Sequence, residues 1–279
     1  MTDAPKSLVA AEADAEDDLD SSKAPLLDHL IELRRRLLWS FGALALAFAV
    51  CLYFARPIFG FLVQPLANAF PHGDGKLVFT KLYEAFFVEI KVALFAGFFV
   101  SFPVIANQLW AFVAPGMYAR EKKAFLPFIL ATPVLFFAGA SLAYYVVMPT
   151  AFKWFIGFQG VRGGIPLEAL PATGDYLDLV MRFILAFGIS FLLPVLLLLL
   201  NRAGLVSRAQ FAAARRYVIV GIFILAAVVT PPDVFSQVVL AIPLIALFEG
   251  SLLIMHLSEK KAAKQAATEG TAVAPAETP

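Results

Sequence analysis

The 279-residue chain is short of most of what a metal-dependent or disulfide-built protein needs. It has one cysteine, Cys51, so no intramolecular disulfide can form, and that residue sits inside an apolar run. Its three histidines, His29, His72 and His256, are far apart in sequence, and neither His-Glu-x-x-His nor Gly-x-Ser-Gly occurs. Those absences argue against a metal centre, a cofactor and an intramembrane protease. Charged residues make up only 15%, where soluble domains carry roughly a quarter. A soluble fold of this size could not cover so much apolar surface. No internal repeat stands out either, which weakens an inverted-repeat transporter.

What fills the chain is apolar. Hydrophobic residues reach 61%, with 28 phenylalanines suited to lipid-facing and interhelical packing. Apolar runs of about 18 or more residues can cross the hydrocarbon core as helices. We place six spans, at about 37–55, 86–112, 123–149, 178–201, 215–230 and 235–257, inside a transmembrane domain at 25–258. The fold class expected is an all-α polytopic membrane protein. Arg34-Arg35-Arg36 followed by Leu37–Phe54 imitates a secretory signal. The run is longer than the usual h-region and no small-x-small site follows, so it reads as a retained first span. Residues 1–24 carry seven acids, and 259–279 are rich in Ala, Thr, Glu and Pro; both read as disordered tails.

Basic residues orient the spans. Arg34–Arg36, then Arg120, Lys122 and Lys123, then Arg202, Arg208, Arg215 and Arg216, then Lys260, Lys261 and Lys264 all fall on one side. Arg56, Lys76, Lys81, Lys153 and Arg162 fall on the other, fewer in number. Basic loops stay cytoplasmic, so both termini are expected in the cytosol. Pro103, Pro127, Pro133, Pro194 and Pro243 interrupt the spans and predict kinked helices and a curved, open wall. The fifth and sixth spans are expected to be short: Tyr217–Thr230 would reach about 21 Å at 1.5 Å per residue, below the roughly 30 Å core. The long outer loops, about 56–85 and 150–177, hold Pro-Gly turn signals and are expected to cap the outer face.

Two carboxylates at the cytosolic surface carry the functional signal. The first lies in His29-Leu30-Ile31-Glu32-Leu33-Arg34-Arg35-Arg36-Leu37, and the second in Phe112-Val113-Ala114-Pro115-Gly116-Met117-Tyr118-Ala119-Arg120-Glu121-Lys122-Lys123. Each has a purely structural reading. Glu32 and Arg36 stand at i and i+4 in the favourable order, with His29 three residues before Glu32. Glu121 opens the third span, where a carboxylate suits the positive end of a helix dipole.

These motifs, together with Thr80…Glu84-Ala85-Phe86-Phe87, Phe187-Gly188-Ile189-Ser190-Phe191 and Thr230-Pro231-Pro232-Asp233-Val234-Phe235-Ser236-Gln237, resemble the TatC family. TatC is the multi-span signal-peptide receptor subunit of the twin-arginine protein translocase. The resemblance runs from Leu26 to about Leu257 and implies a receptor, not an enzyme. It implies that Glu32 and Glu121, with Arg34 and Phe112, contact the paired arginines of a signal peptide. It further implies partner-binding or structural roles for Pro65, Asp233 and Gln237. Single-span TatA- and TatB-like subunits, further copies of the chain and the bilayer are the implied partners, with no nucleic acid. Location in the inner membrane and export of folded cargo driven by the proton-motive force follow from the same resemblance. One departure is Leu192, where family members often carry a glutamate. Arg182 could snorkel or pair with Asp178, and Glu89, Lys91 and Glu249 are expected near interfaces or an aqueous groove. A secondary transporter or channel for a small solute remains the alternative.

Overall fold

The computed structural model describes the backbone of residues 6–70, 75–113, 122–230 and 234–272, and the side chains of 29–70, 75–112, 127–161, 163–230 and 234–261. The described residues are almost entirely helical. In order it forms α1 (Lys6–Tyr53), α2 (Ala55–Ala67), α3 (Glu84–Val113) and α4 (Lys122–Leu142). A π-helical turn (Ala143–Val147) joins α4 to α5 (Met148–Ile156). A short hairpin, β1 (Gly160–Arg162) and β2 (Ile165–Leu167), precedes α6 (Thr173–Ser190). Then come α7 (Leu193–Arg202), α8 (Arg208–Ala213), α9 (Arg215–Val229) and α10 (Val234–Ala272).

Among the described residues, five helical stretches are long and apolar enough to cross a membrane: His29–Tyr53, Glu84–Phe112, Pro127–Ile156, Thr173–Arg202 and Val234–Lys261. The remaining expected span is α9, whose 15 residues reach about 22 Å, shorter than a full crossing. The sixth span, expected to be short as well, is not: Val234–Lys261 runs for 28 residues because the apolar stretch continues unbroken through Pro243. The bounds of α1 and α10 run past 25–258 into both segments expected to be tails. Alanine and long polar side chains favour helix, so composition alone did not fix the state of those segments.

Proline breaks the helices at fewer places than its distribution implied. Pro103, Pro127, Pro133 and Pro243 lie inside continuous helices. Pro194 instead sits in the first turn of α7, just after the break that ends α6 at Ser190. Pro149, in the first turn of α5, follows the π-helical turn and has the same starting role. A proline is tolerated in the first turn because its missing N–H has no helical partner there.

The core joins most of these elements. Leu62 and Leu66 of α2, Val88 and Val92 of α3, Phe152 of α5, Phe183 and Phe187 of α6, Ala226 of α9, and Leu240 and Leu244 of α10 are all buried in one cluster. A second cluster, Leu197, Phe211, Phe248, Leu252 and Met255, ties α7 and α8 to α10. Phenylalanines fill the α3–α4 seam, with Phe102 stacked on Phe136 at 3.7 Å between ring centroids. The α1–α3 seam is built from small residues: Cys51 of α1 and Ala93 of α3 pack together there, joined by Ala55 at the start of α2. At Gly97 a Cβ would come within 2.9 Å of the Phe48 backbone, so only glycine permits this approach of the two helices.

The two expected outer loops meet each other at what we term the cap end. Val78 bridges to Ala172, and the Val78 carbonyl accepts bonds from the Thr173 N–H (2.9 Å) and hydroxyl (3.1 Å). The β1–β2 hairpin turns through Gly163 and Gly164, at φ +60° and +83°, the left-handed values that a two-residue turn needs. The sequence reading left α2 and α5 inside loops or loop margins, yet both are well-packed parts of this cap.

Candidate functional site

At the opposite, basic end the close α1–α3 seam brings the start of one span to the end of another. His29 of α1 stacks on Phe112 of α3, with centroids 4.3 Å apart and planes 20° from parallel. One turn further along α1, Glu32 receives Arg36: Nε donates at 3.0 Å and Nη2 at 2.5 Å, both to Oε1. His29, Glu32 and Arg36 are spaced i, i+3 and i+7, so they share one helix face. The face turned towards α3 therefore carries an aromatic stack, then a carboxylate, then a guanidinium. Glu32 and Arg36 are both partly covered, at 24% and 20% side-chain exposure, on an otherwise exposed stretch of α1. The Ser40 hydroxyl closes the turn by donating to the Arg36 carbonyl at 3.0 Å.

Of the residues singled out from sequence, Glu32 and Phe112 are thus neighbours, joined through His29. Arg34 is exposed and lies two residues from Glu32, about 200° around the helix, away from this face. Glu121 and Asp233 lie outside the described residues, as does the whole of 114–121. Gln237 is half-buried at the start of α10, beside the stack of Phe235 on Trp154 of α5 (5.2 Å, 11°). Pro65 is buried in α2, far along the chain from the basic end.

The cap end holds the better-bonded carboxylate, Glu84, which the sequence reading quoted within a motif but gave no role. Its Oε2 accepts from the Thr80 N–H (2.8 Å), the Thr80 hydroxyl (2.9 Å) and the Lys81 N–H (3.2 Å). Its Oε1 accepts from the Gly174 N–H at 2.6 Å. One side chain thereby satisfies orphan N–H groups at the entries of both α3 and α6. The signal was present as a polar residue four positions after Thr80; its long-range partner, 90 residues on, was not legible. Two tyrosines complete the cap. Tyr144 donates to the Phe61 carbonyl (2.6 Å) and Tyr176 to the Leu62 carbonyl (2.9 Å). Phe61 is the residue whose helical donor would be position 65, and Pro65 has no N–H to give.

The charges expected near interfaces are paired across helices. Arg56 meets Glu89 at 3.5 Å, Lys91 meets Asp178 at 2.9 Å, and Arg215 meets Glu249 at 2.9 Å. Asp178 thus serves Lys91 and not Arg182, contrary to the i−4 pairing considered above; the two oxygens take Lys91 at 2.9 and 3.0 Å. Leu192 packs against the Phe102, Ala106 and Phe136 cluster and borders an apolar cavity of about 480 Å³ between α3, α4, α6–α7 and α9. Among the described residues no cluster of His, Cys, Asp and Glu could hold a metal.

Long apolar helices around a packed core, with polar groups fastened at both ends, define a multi-pass helical membrane protein. Residues 28–243 match the sequence profile of the Sec-independent protein translocase protein (TatC). The chain belongs to the TatC family. It is 50% identical over 247 residues to the Sec-independent protein translocase protein TatC of Magnetococcus marinus, covering 88% of this chain and 89% of that one. The Rickettsia prowazekii protein of the same name is 38% identical over 232 residues, 83% of this chain and 92% of its own. A crystal structure described as the twin arginine translocase receptor TatC superposes with a TM-score of 0.72. It shares 36% identity and covers 83% of this chain and 99% of that one.

Proposed function

We propose that this chain is the receptor subunit of a twin-arginine translocase, binding signal peptides with paired arginines and nucleating export of folded proteins. The observation that carries the proposal is the Glu32 carboxylate, already holding a guanidinium beside the His29–Phe112 stack. A guanidinium can offer two N–H groups at fixed geometry, which an ammonium cannot copy. Glu121, with the basic residues around it, is the second carboxylate of this surface, and Arg34, exposed on the other side of α1, adds positive charge nearby. In this reading α9 is a sixth, short span and the bilayer thins around it. Both termini are cytosolic, following the basic loops, and the membrane is the bacterial inner membrane. Single-span TatA- and TatB-like subunits dock on the bundle, with Gln237 and Asp233 near the α9–α10 turn. Further copies of the chain join the receptor complex, and transport draws on the proton-motive force. The chain itself catalyses no covalent step.

Membership of a translocase family favours this reading over a solute transporter. The test is binding of a labelled Arg-Arg signal peptide to the purified protein in nanodiscs. An Arg-Arg→Lys-Lys peptide and the Glu32→Ala and Glu121→Ala variants serve as controls. Loss of binding in all three supports the receptor role. Binding indifferent to all three would reduce both acids to interfacial salt-bridge partners.

A further inference from the structure

Arg182 is the least explained charge in the protein. It lies nine residues into α6, about 13 Å from the start of that helix at 1.5 Å per residue. Its side chain is exposed and makes no ion pair with any described residue. An unpaired guanidinium at such depth in hydrocarbon is costly unless it finds an anion or reaches the interface. It borders a cavity of about 510 Å³ between α1, α3 and α6, whose walls include Leu44, Leu94 and Phe98 and whose polar rim is Lys91, Asp178 and Arg182.

The charges at that rim do not cancel. Lys91 occupies both oxygens of Asp178, which leaves the Arg182 charge as a net excess of one. From this we infer that the cavity binds an anionic glycerophospholipid, its phosphate on Arg182 and one acyl chain along the Leu44–Leu94–Phe98 wall. A phosphate accepts two parallel N–H bonds from a guanidinium. The apolar wall suits a hydrocarbon chain and gives nothing to a free phosphate ion. With Asp178 already taken, no carboxylate remains to receive a choline or ethanolamine ammonium, so the preferred headgroup has no cation of its own. The long arginine stem lets the charge rise towards the headgroup plane while its methylenes stay on the wall. This site lies away from the Glu32 surface and does not depend on peptide recognition.

The test is native mass spectrometry of the full chain in detergent, titrated with palmitoyl-oleoyl phosphatidylglycerol or the matching phosphatidylcholine. One tightly held phosphatidylglycerol is expected, preferred over phosphatidylcholine by about tenfold, the scale of one charge-assisted contact. Arg182→Gln should erase that preference, and Arg182→Lys should retain it in weaker form. Asp178→Asn frees Lys91 and should tighten phosphatidylglycerol binding, an effect opposite in sign to any general loosening of the fold. Glycerol phosphate, which lacks the acyl chains, should not displace the lipid at equal concentration. Equal retention of both lipids, an unchanged Arg182→Gln variant, or displacement by glycerol phosphate would each overturn the inference. The first two would leave Arg182 to water or to a carboxylate from a protein partner; the last would make the site one for free phosphate.

Discussion

Removing one hydroxyl, Tyr144→Phe, tests how the cap copes with a proline inside α2. The Phe61 carbonyl has lost its helical donor because position 65 is proline, and the Tyr144 hydroxyl replaces it at 2.6 Å. Tyr144 is 7% exposed, so water cannot readily take over. Its ring lies flat on Phe61, centroids 4.3 Å apart and planes 8° from parallel, and phenylalanine would keep that contact. The substitution therefore isolates a single buried acceptor, whose orphaning costs about 1–3 kcal/mol. Pro65→Ala returns an N–H to α2 within reach of the same carbonyl. In that background Tyr144→Phe should cost under about 1 kcal/mol, giving a coupling within the roughly 0.5–3 kcal/mol range of contacting residues. Thermal unfolding of the four proteins in nanodiscs, followed by circular dichroism, measures the cycle. A drop of several degrees is expected for Tyr144→Phe alone, at about 2–4 °C per kcal/mol. An equal drop in both backgrounds would refute the reasoning, because the hydroxyl would then not be standing in for the missing amide.

Three further outcomes follow from the same contacts. Gly97→Leu places a side chain where even a Cβ meets the Phe48 backbone at 2.9 Å; it should part α1 from α3, and a cysteine pair at positions 29 and 112 should then crosslink far less than in the Gly97 protein. Glu84→Ala removes the acceptor shared by Thr80, Lys81 and Gly174; amide exchange at Gly174 should accelerate while that of the α10 core at Leu240 and Leu244 stays unchanged. Arg36→Gln frees Glu32 from its internal guanidinium and should tighten Arg-Arg peptide binding; weaker binding would instead make Arg36 a positioning residue for that carboxylate.

Five of the expected spans were legible because each is a long apolar run, and the second agrees with α3 to within two residues at its start. The cap was not. Its helix α2 has a proline four residues after Phe61, a pattern that reads as loop until Tyr144 supplies the missing donor from 83 residues away. Glu84 was hidden for the same reason, since its Gly174 partner lies 90 residues on. At the basic end, local spacing sufficed for the Glu32–Arg36 pair, an i, i+4 contact visible in any helix. The His29–Phe112 stack needed the antiparallel α1–α3 packing, which rests on small residues at Cys51, Ala55, Ala93 and Gly97 that carry no functional signal. Charge pairing across helices was equally opaque: the sequence put Asp178 near Arg182, one turn away, while the fold gives it to Lys91 on another helix.

On the receptor reading, the internal pair also bears on why arginine and not lysine is selected. A carboxylate facing open water discriminates weakly between cations, because hydration compensates for either. Glu32 is instead partly covered and already engaged by two N–H donors of Arg36. A peptide cation can add at Oε2, which Arg36 leaves open, but it takes both oxygens only by replacing the bonds at Oε1. An incoming guanidinium can exchange donor for donor in the same planar geometry, whereas an ammonium brings a point charge with no matching fork. The displaced Arg36 then needs an anion, and lipid headgroups at the basic end can supply one. Selectivity on this view comes from competition within α1 as much as from attraction. On the proposed reading, arginines beside the carboxylate would sharpen its selection and not blunt it.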